Sequence, residues 1–396
     1  MSEWIRMKLS ECCSSIADGD HQPPPKAETG IPFVTISNMT STNQFDFSDT
    51  LFVPQEYYDK LDEKRKASKD DILYSVVGSF GIPVFMKEDK AFVFQRHIAI
   101  LRPDNEKIVP RFLFYTMLTK DFYAKADAAA IGAAQRTVSL TALRNMEICI
   151  PDKIQQSKIV DTLAAYDDLI ENNQKQIKLL EETAQRLYKE WFVDLRFPRY
   201  EDIEIVDGVP EGWTVKSMED IADYLNGYAF KPSDWGEVGK PIIKIKELND
   251  GITKDTPRNT GDDIPEKYRV FPGDIVFSWS ATLTAKIWDA EEGLLNQHLF
   301  KVTPYDGFCR EYVLQSILKT LDEFRNLTTG STMKHIQRGK LKQVFVKVPS
   351  PKIMDEYKKY ADTIRQQILV LSHKIIILQE ARDRLLPKLM SGEIGL

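Results

Sequence analysis

The sequence predicts two pseudo-symmetric copies of an α+β (mixed α/β) globular domain, joined by a long antiparallel two-helix coiled coil. Three observations predict it. Short motifs recur in the same order about 200 residues apart. Each copy opens on short β-type runs punctuated by Gly, Pro and Asn. Each copy closes on a stretch without Pro or Gly that carries apolar residues at seven-residue intervals.

The repeat is read from matched stretches. Trp4 precedes an amphipathic stretch, and so does Trp213. GIPFVTIS from Gly30 parallels GKPIIKIK from Gly239 at an offset of 209, and DILYS at 71–75 parallels DIVFS at 274–278 at 203. QRHIAILRP parallels NQHLFKVTP at 201; GAAQRTV from Gly132 meets GSTMKHI from Gly330 at 198; Ile150-Pro151 meets Val348-Pro349 at 198. The offset drifts by small steps, as loop insertions and deletions produce. The implied division is a first head at 1–151, a first helix at 152–194, a second head at 195–350, and a second helix with its tail at 351–396.

In the first head, Val34–Ser37, Ile72–Val77, Phe92–Phe94 and Ile98–Leu101 read as strands. A helical pattern follows at Arg111–Lys125, with its counterpart at Arg310–Leu327. The first long helix, Ile154 to Phe192, carries one seam at Ile159, Tyr166, Asn173, Leu180 and Leu187 and another at Leu163, Ile170, Ile177, Ala184 and Trp191. The second, Ile353 to Leu386, repeats it with Tyr357, Ile364, Leu371, Leu378 and Leu385, and with Ala361, Ile368 and Ile375, all at an offset of 198. Such a helix is on the order of 57 Å long at 1.5 Å per residue, longer than a 150-residue domain is wide, so its stripe needs a partner beyond its own head. The first helix delivers the chain to the second head, so the second helix pairs with it only by running back. Asn173 sits mid-seam, where a polar residue either fixes register or faces solvent.

Composition bounds the function. The 396 residues carry 42% hydrophobic and 28% charged side chains and a net charge of −6, which excludes one continuous basic surface but leaves room for local basic patches. The four cysteines, Cys12, Cys13, Cys149 and Cys309, form no CxxC or zinc spacing and read as reduced, mostly buried thiols. The N-terminus has no apolar leader and no apolar run approaches a bilayer span, so the expectation is a cytoplasmic chain away from membranes. Two diverged readers on a rigid spacer suit a two-part target, and double-stranded DNA is the natural one, because its positions are fixed in distance and helical phase.

Several stretches carry a family resemblance in their order: DILYSVVGSFG with QRHIAILRP, GAAQRTVSLTALRNMEICIP, the helix ending LYKEWFVDLRFP, the repeat opening VPEGWTVKSMEDIA, and the terminal LLPKLMSGEI. The chain resembles a specificity subunit of a Type I restriction–modification system over nearly its whole length. That resemblance implies that each head is a target-recognition domain reading one half of a bipartite site. It implies that the helices set the half-site spacing and dock two modification subunits that use S-adenosylmethionine. Restriction subunits using ATP and Mg complete the assembly, and neither chemistry belongs to this chain. The second copy departs from the pattern where it reads SWSATLT against SVVGSFG in the first, losing the turn glycines.

The residues themselves offer no catalyst. No GxxxxGK[ST] loop and no Asn-Pro-Pro-aromatic motif occurs, and Asp71 with Glu88-Asp89-Lys90 is a common chance pattern. Base reading favours Arg or Lys on guanine and Asn or Gln on adenine, with phosphates left to cations and hydroxyls. The candidate DNA contacts of the first copy are Ser79, Gln95, Arg96, His97, Gln135, Arg136 and Thr137. Those of the second are Asn296, Gln297 and His298, matched to Gln95–His97, then Lys334 and His335 with the basic run Arg338, Lys340 and Lys342. Lys244 and Lys246 are added as neighbours on one face of a strand. A chain of net −6 is expected to bind DNA weakly alone and tightly with partners closed around it. A non-catalytic protein-binding adaptor and a metal-dependent nuclease are the alternative readings.

Overall fold

The computed structural model describes residues 4–21, 24–40, 42–133, 135–253, 255–280, 282–327 and 338–396. The chain forms two compact units, Met1–Asp168 with Gln379–Leu396, and Leu169–Leu378, so the division falls inside the long helices.

In the first unit a four-stranded antiparallel sheet runs in the order Cys13–Asp18, Ile98–Pro103, Ile72–Ser75, Pro83–Phe85. A second sheet runs Leu51–Val53, Ile31–Val34, Val93–Phe94, the last pair parallel. Ile5–Lys8 pairs antiparallel with Glu147–Ile150 and ties the start of the head to its end. The second unit repeats this topology. Its four-stranded sheet runs Ala222–Asn226, Leu299–Pro304, Ile275–Ser278, Thr284–Ile287, and Thr214–Ser217 pairs with Phe345–Val348. Its second sheet runs Arg258–Asn259, Lys240–Ile243, Gly293–Leu295, with Arg269–Val270 added at the edge.

Two local expectations are corrected, one in each copy. The strand expected at Val34–Ser37 ends at Val34, and Ile36–Asn38 turns as a 3-10 helix. The strand expected through Lys244 and Lys246 ends at Ile243, and Ile245–Asp250 is a helix, so these lysines do not share a strand face. The physical cause is the same. A side chain three residues into the turn caps it: Asn38 Oδ1 accepts from the Thr35 N–H at 2.9 Å, and Glu247 Oε2 accepts from the Lys244 N–H at 3.1 Å. The helix expected over Arg111–Lys125 divides into Pro110–Met117 and Lys120–Ala129, because Thr119 Oγ1 caps the second by accepting from the Phe122 N–H at 3.2 Å. Its counterpart divides likewise into Arg310–Lys319 and Leu321–Asn326.

The long helices are α1, Lys153–Tyr188, which ends in a π-helical turn at Lys189–Val193, and α2, Pro351–Met390. Within each unit they run antiparallel. In the first, Ile159 and Leu163 near the start of α1 share a core with Leu389 near the end of α2. In the second, Trp191, just past α1, lies 5.7 Å ring to ring from Tyr357 near the start of α2. All the seam residues are buried or half-buried, including Leu180, Leu187, Ile364, Leu371, Ile375, Leu378 and Leu385. Leu163, Ile170 and Ile368 are buried, and Ile177 is half-buried. Asn173 is buried, which removes its solvent-facing alternative. In the second unit the seam also enters the head core, where Trp191, Phe192, Trp213, Tyr312 and Tyr357 form one aromatic cluster. Each such side chain contributes about 2–3 kcal/mol on burial, so the helix ends are anchored to their heads. The four cysteines are free, and Cys149 alone among them is exposed.

Candidate nucleic-acid interface

In the first unit the end of strand Ile72–Ser75 organises a cluster of loops. The Val76 N–H donates to the His97 carbonyl at 2.9 Å, the Val138 N–H to the Val76 carbonyl at 2.9 Å, and the Gly78 N–H to the Arg136 carbonyl at 2.9 Å. Ile131 and Thr137 exchange backbone bonds of 3.0 and 2.8 Å and close the loop between them. Ser79, His97, Gln135, Arg136 and Thr137, scattered over 59 positions of sequence, are thereby brought to one place. Ser79, Gln135 and Arg136 are exposed there, and His97 and Thr137 are half-buried. Burial, and then the Arg96 guanidinium, hold the His97 imidazole below its ordinary pKa.

Aromatic packing stiffens this cluster. Phe80 is buried and stacks on Tyr123 at 5.8 Å and 13° between planes. The Arg136 guanidinium lies 5.5 Å from the Phe80 ring centroid and pairs with Asp127. Gly81 has φ +98°, and a Cβ on it would stand 2.6 Å from the Tyr123 ring, so this turn needs glycine twice over. Tyr123, nearly half exposed, was missed by the sequence reading; an aromatic between Lys120 and Lys125 on a short helix was the available signal.

A second turn holds Gln95 and Arg96. The Asp20 N–H donates to the Phe94 carbonyl at 2.8 Å and the Arg96 N–H to the Asp20 carbonyl at 2.9 Å; Gln95 and Ile98 add bonds to Val34 and to Gln95 of 3.1 and 2.9 Å. The second unit repeats the frame bond for bond. Tyr228 donates to Leu295 at 2.8 Å, Gln297 to Tyr228 at 2.9 Å, Asn296 to Ile243 at 3.0 Å and Leu299 to Asn296 at 3.0 Å. Gly19 and Gly227 allow the approach. A Cβ on Gly19 would lie 2.2 Å from the Phe94 oxygen, and one on Gly227 would lie 2.2 Å from the Asn296 oxygen. These glycines also escaped the sequence reading, although they sit at nearly equal distances after Trp4 and Trp213.

What the frame carries differs. Arg96 is exposed and Gln95 half-buried. Asn296 is buried and its Oδ1 accepts from the His298 N–H at 3.3 Å, so this candidate holds the turn and does not reach outward. Gln297 and His298 are half-buried, with Gln297 Nε2 and His298 Nε2 3.4 Å apart. His298 Nδ1 is buried without a hydrogen-bond partner among the described residues. The Trp279 ring lies 6.0 Å from His298 and its Nε1 donates to Asn226 at 3.1 Å.

The remaining candidates stand apart from these turns in the chain. Lys244 is half-buried with its ammonium 5.0 Å from the Trp235 ring centroid, and Lys246 is exposed on the helix that follows. Lys340 and Lys342 lie on a 3-10 turn, Arg338–Gln343, anchored by fully buried Leu341. Lys342 lies 3.6 Å from Glu219, which offsets part of that basicity. Lys334 and His335 lie outside the described residues, as do the Arg338 side chain and Ala281 of the SWSATLT turn. Asp71, the head of the nuclease-like pattern, is buried and grips Arg102 at 3.0 and 2.9 Å; Asp89 accepts from the Lys69 N–H at 2.7 Å. That carboxylate pair serves the fold. Among the described residues no cluster of His, Cys, Asp and Glu is shaped to hold a metal, and no helix is long and apolar enough to cross a membrane.

Comparison with known proteins gives one answer. The family described as Type I restriction modification DNA specificity domain matches residues 1–182 and 210–376, once for each copy. The specificity subunit of the Type I restriction enzyme MjaIX from Methanocaldococcus jannaschii is 24% identical over 304 residues, covering 72% of this chain and 69% of that one. The HindI specificity subunit of Haemophilus influenzae is 23% identical over the full length of both chains. The crystal structure of a Type I restriction–modification S subunit from M. genitalium has the same fold, with a TM-score of 0.53 at 15% identity over 98% of this chain and 96% of that chain.

Proposed function

The chain belongs to the Type I restriction–modification DNA specificity family, and on that premise we propose that each head reads one half of a bipartite double-stranded DNA site. In this reading the long helices set the interval between the halves and dock two modification subunits. S-adenosylmethionine enters with those subunits, and ATP and Mg with restriction subunits. The chain is a recognition component and not the catalyst.

One observation carries the reading: the same backbone turn occurs in both heads with different side chains on it. A frame held by main-chain bonds leaves its side chains free to specify different base edges. The local charge is modest, with Arg136 paired to Asp127 and Lys342 near Glu219. That supports weak binding by the isolated chain and tight binding in the complex, because phosphate neutralisation needs many uncompensated cations.

The test is a methylation map of DNA exposed to the chain assembled with its modification subunits. Alanine at both Gln135 and Arg136 relaxes one half-site, and alanine at both Gln297 and His298 relaxes the other. A lost bidentate contact relaxes its position by roughly 5- to 150-fold, from about 1–3 kcal/mol per contact. A pair of substitutions that alters both halves together, or methylation that needs no two-part site, sinks the reading.

A further inference from the structure

The seat of each head on its stem is built at equivalent positions with opposite charge. Helix Pro110–Met117 matches Arg310–Lys319 at an offset of 200, and α1 matches α2 at 198. The second residue of the head helix is Arg111 in the first unit and Glu311 in the second. The facing stem residue is Asp167 in the first and Arg365 in the second. Arg111 Nη2 lies 3.6 Å from Asp167 Oδ2 and 3.1 Å from Asp168 Oδ1. Glu311 Oε2 accepts from Arg365 Nε at 3.1 Å and from its Nη2. Both members of the pair have changed sign together.

The surroundings change with them. Asp167 also accepts from Tyr115 Oη at 2.6 Å and from Arg382 at 2.9 Å. The matching positions in the second unit are Gln315, which donates to Glu311 at 2.8 Å, and Ala184, a buried side chain with no charge to set against Arg365. Lys87, 3.9 Å from Asp168, matches Asp289, which accepts from Ser372 of α2 at 2.7 Å. The first head thus offers Arg111 and Lys87 to an acidic stem root, and the second offers Glu311 and Asp289 to a stem root where Arg365 stands within electrostatic reach of Glu181. Glu311 is only 3% exposed, so a like charge placed against it has almost no water to screen it.

We infer that the sign of this ion pair keys each head to its own stem, so that the chain accepts only matched combinations of the two. A head of the first kind on the second stem sets arginine against Arg365. A head of the second kind on the first stem sets Glu311's carboxylate against Asp167. Such clashes discriminate more sharply than the loss of an attraction. The keying governs which two recognition heads one chain can hold stably, and it is independent of which side chains touch DNA.

The experiment uses the full chain and the variants Glu311→Arg, Arg365→Asp and their combination, which transplants the first unit's pair into the second. Thermal melting should fall by roughly 5 °C or more for each single variant, as breaking a buried pair demands. The combination should regain at least half of the larger loss. A double variant melting at or below the weaker single overturns the inference. Where a single variant yields no soluble protein, a soluble double supports it. A double that stays insoluble while Glu311→Gln with Arg365→Gln remains soluble overturns it.

Discussion

The two heads diverge in two different ways. At the turn of residues 94–98 and its copy at 295–299, Asp20 has become Tyr228 and Arg96 has become Gln297, yet the matched backbone bonds agree within 0.1 Å. At the head–stem seat, Arg111 of the first unit corresponds to Glu311 of the second, and Asp167 corresponds to Arg365. The turn is held by main-chain groups, which every non-proline residue supplies. The seat is held by desolvated charge, which tolerates no change in one partner alone. Independent divergence marks a surface free to acquire new contacts, and coupled divergence marks a joint.

Two pairs of substitutions and one titration test this contrast. The largest effect belongs to Gly19→Ala and Gly227→Ala, each expected to cost about 3 kcal/mol in urea unfolding, because the new methyl meets a carbonyl oxygen at 2.2 Å. Equal losses in the two units sharpen the claim of a shared frame, and tolerance in either breaks it. Next come Asp71→Ala and Asp274→Ala. Asp71 holds Arg102 by two bonds of 3.0 and 2.9 Å, whereas Asp274, among the described residues, has Lys301 at 4.0 Å beside its turn bond from Phe271. The first should cost about 2 kcal/mol and the second about 1. Equal costs would show that the arginine adds nothing.

The smallest effect is a pH dependence at His97. Its folded-state pKa is depressed by burial and Arg96, so the unfolded chain takes up the proton first. Stability is therefore complete above the ordinary histidine value of about 6.5 and declines as pH falls through it. His97→Gln should flatten that limb in a melting series between about pH 7.5 and 5.5. An unchanged slope would place the imidazole in free solvent.

Much of the architecture was legible because it is periodic or repeated. Heptads from Ile159 to Leu187 and from Tyr357 to Leu385 announce long helices, and connectivity alone makes them antiparallel. The strand ends at Val34 and Ile243 were less legible, because alternating apolar residues continue past them while Asn38 and Glu247 turn the backbone back. The site was legible in part. The matched runs Gln95–His97 and Asn296–His298 do occupy equivalent turns. That Asn296 faces inward and Tyr123 outward depends on packing, on which the local pattern is silent.

The sequence by itself determined the duplication, the register of the two helices and their direction, since each follows from spacing along one chain. The tertiary structure decided which side chains stand exposed on the shared turns and which charges meet at the seats. Those outcomes depend on partners far apart in sequence, such as Asp20 with Arg96 and Glu311 with Arg365, and on how much water remains between them.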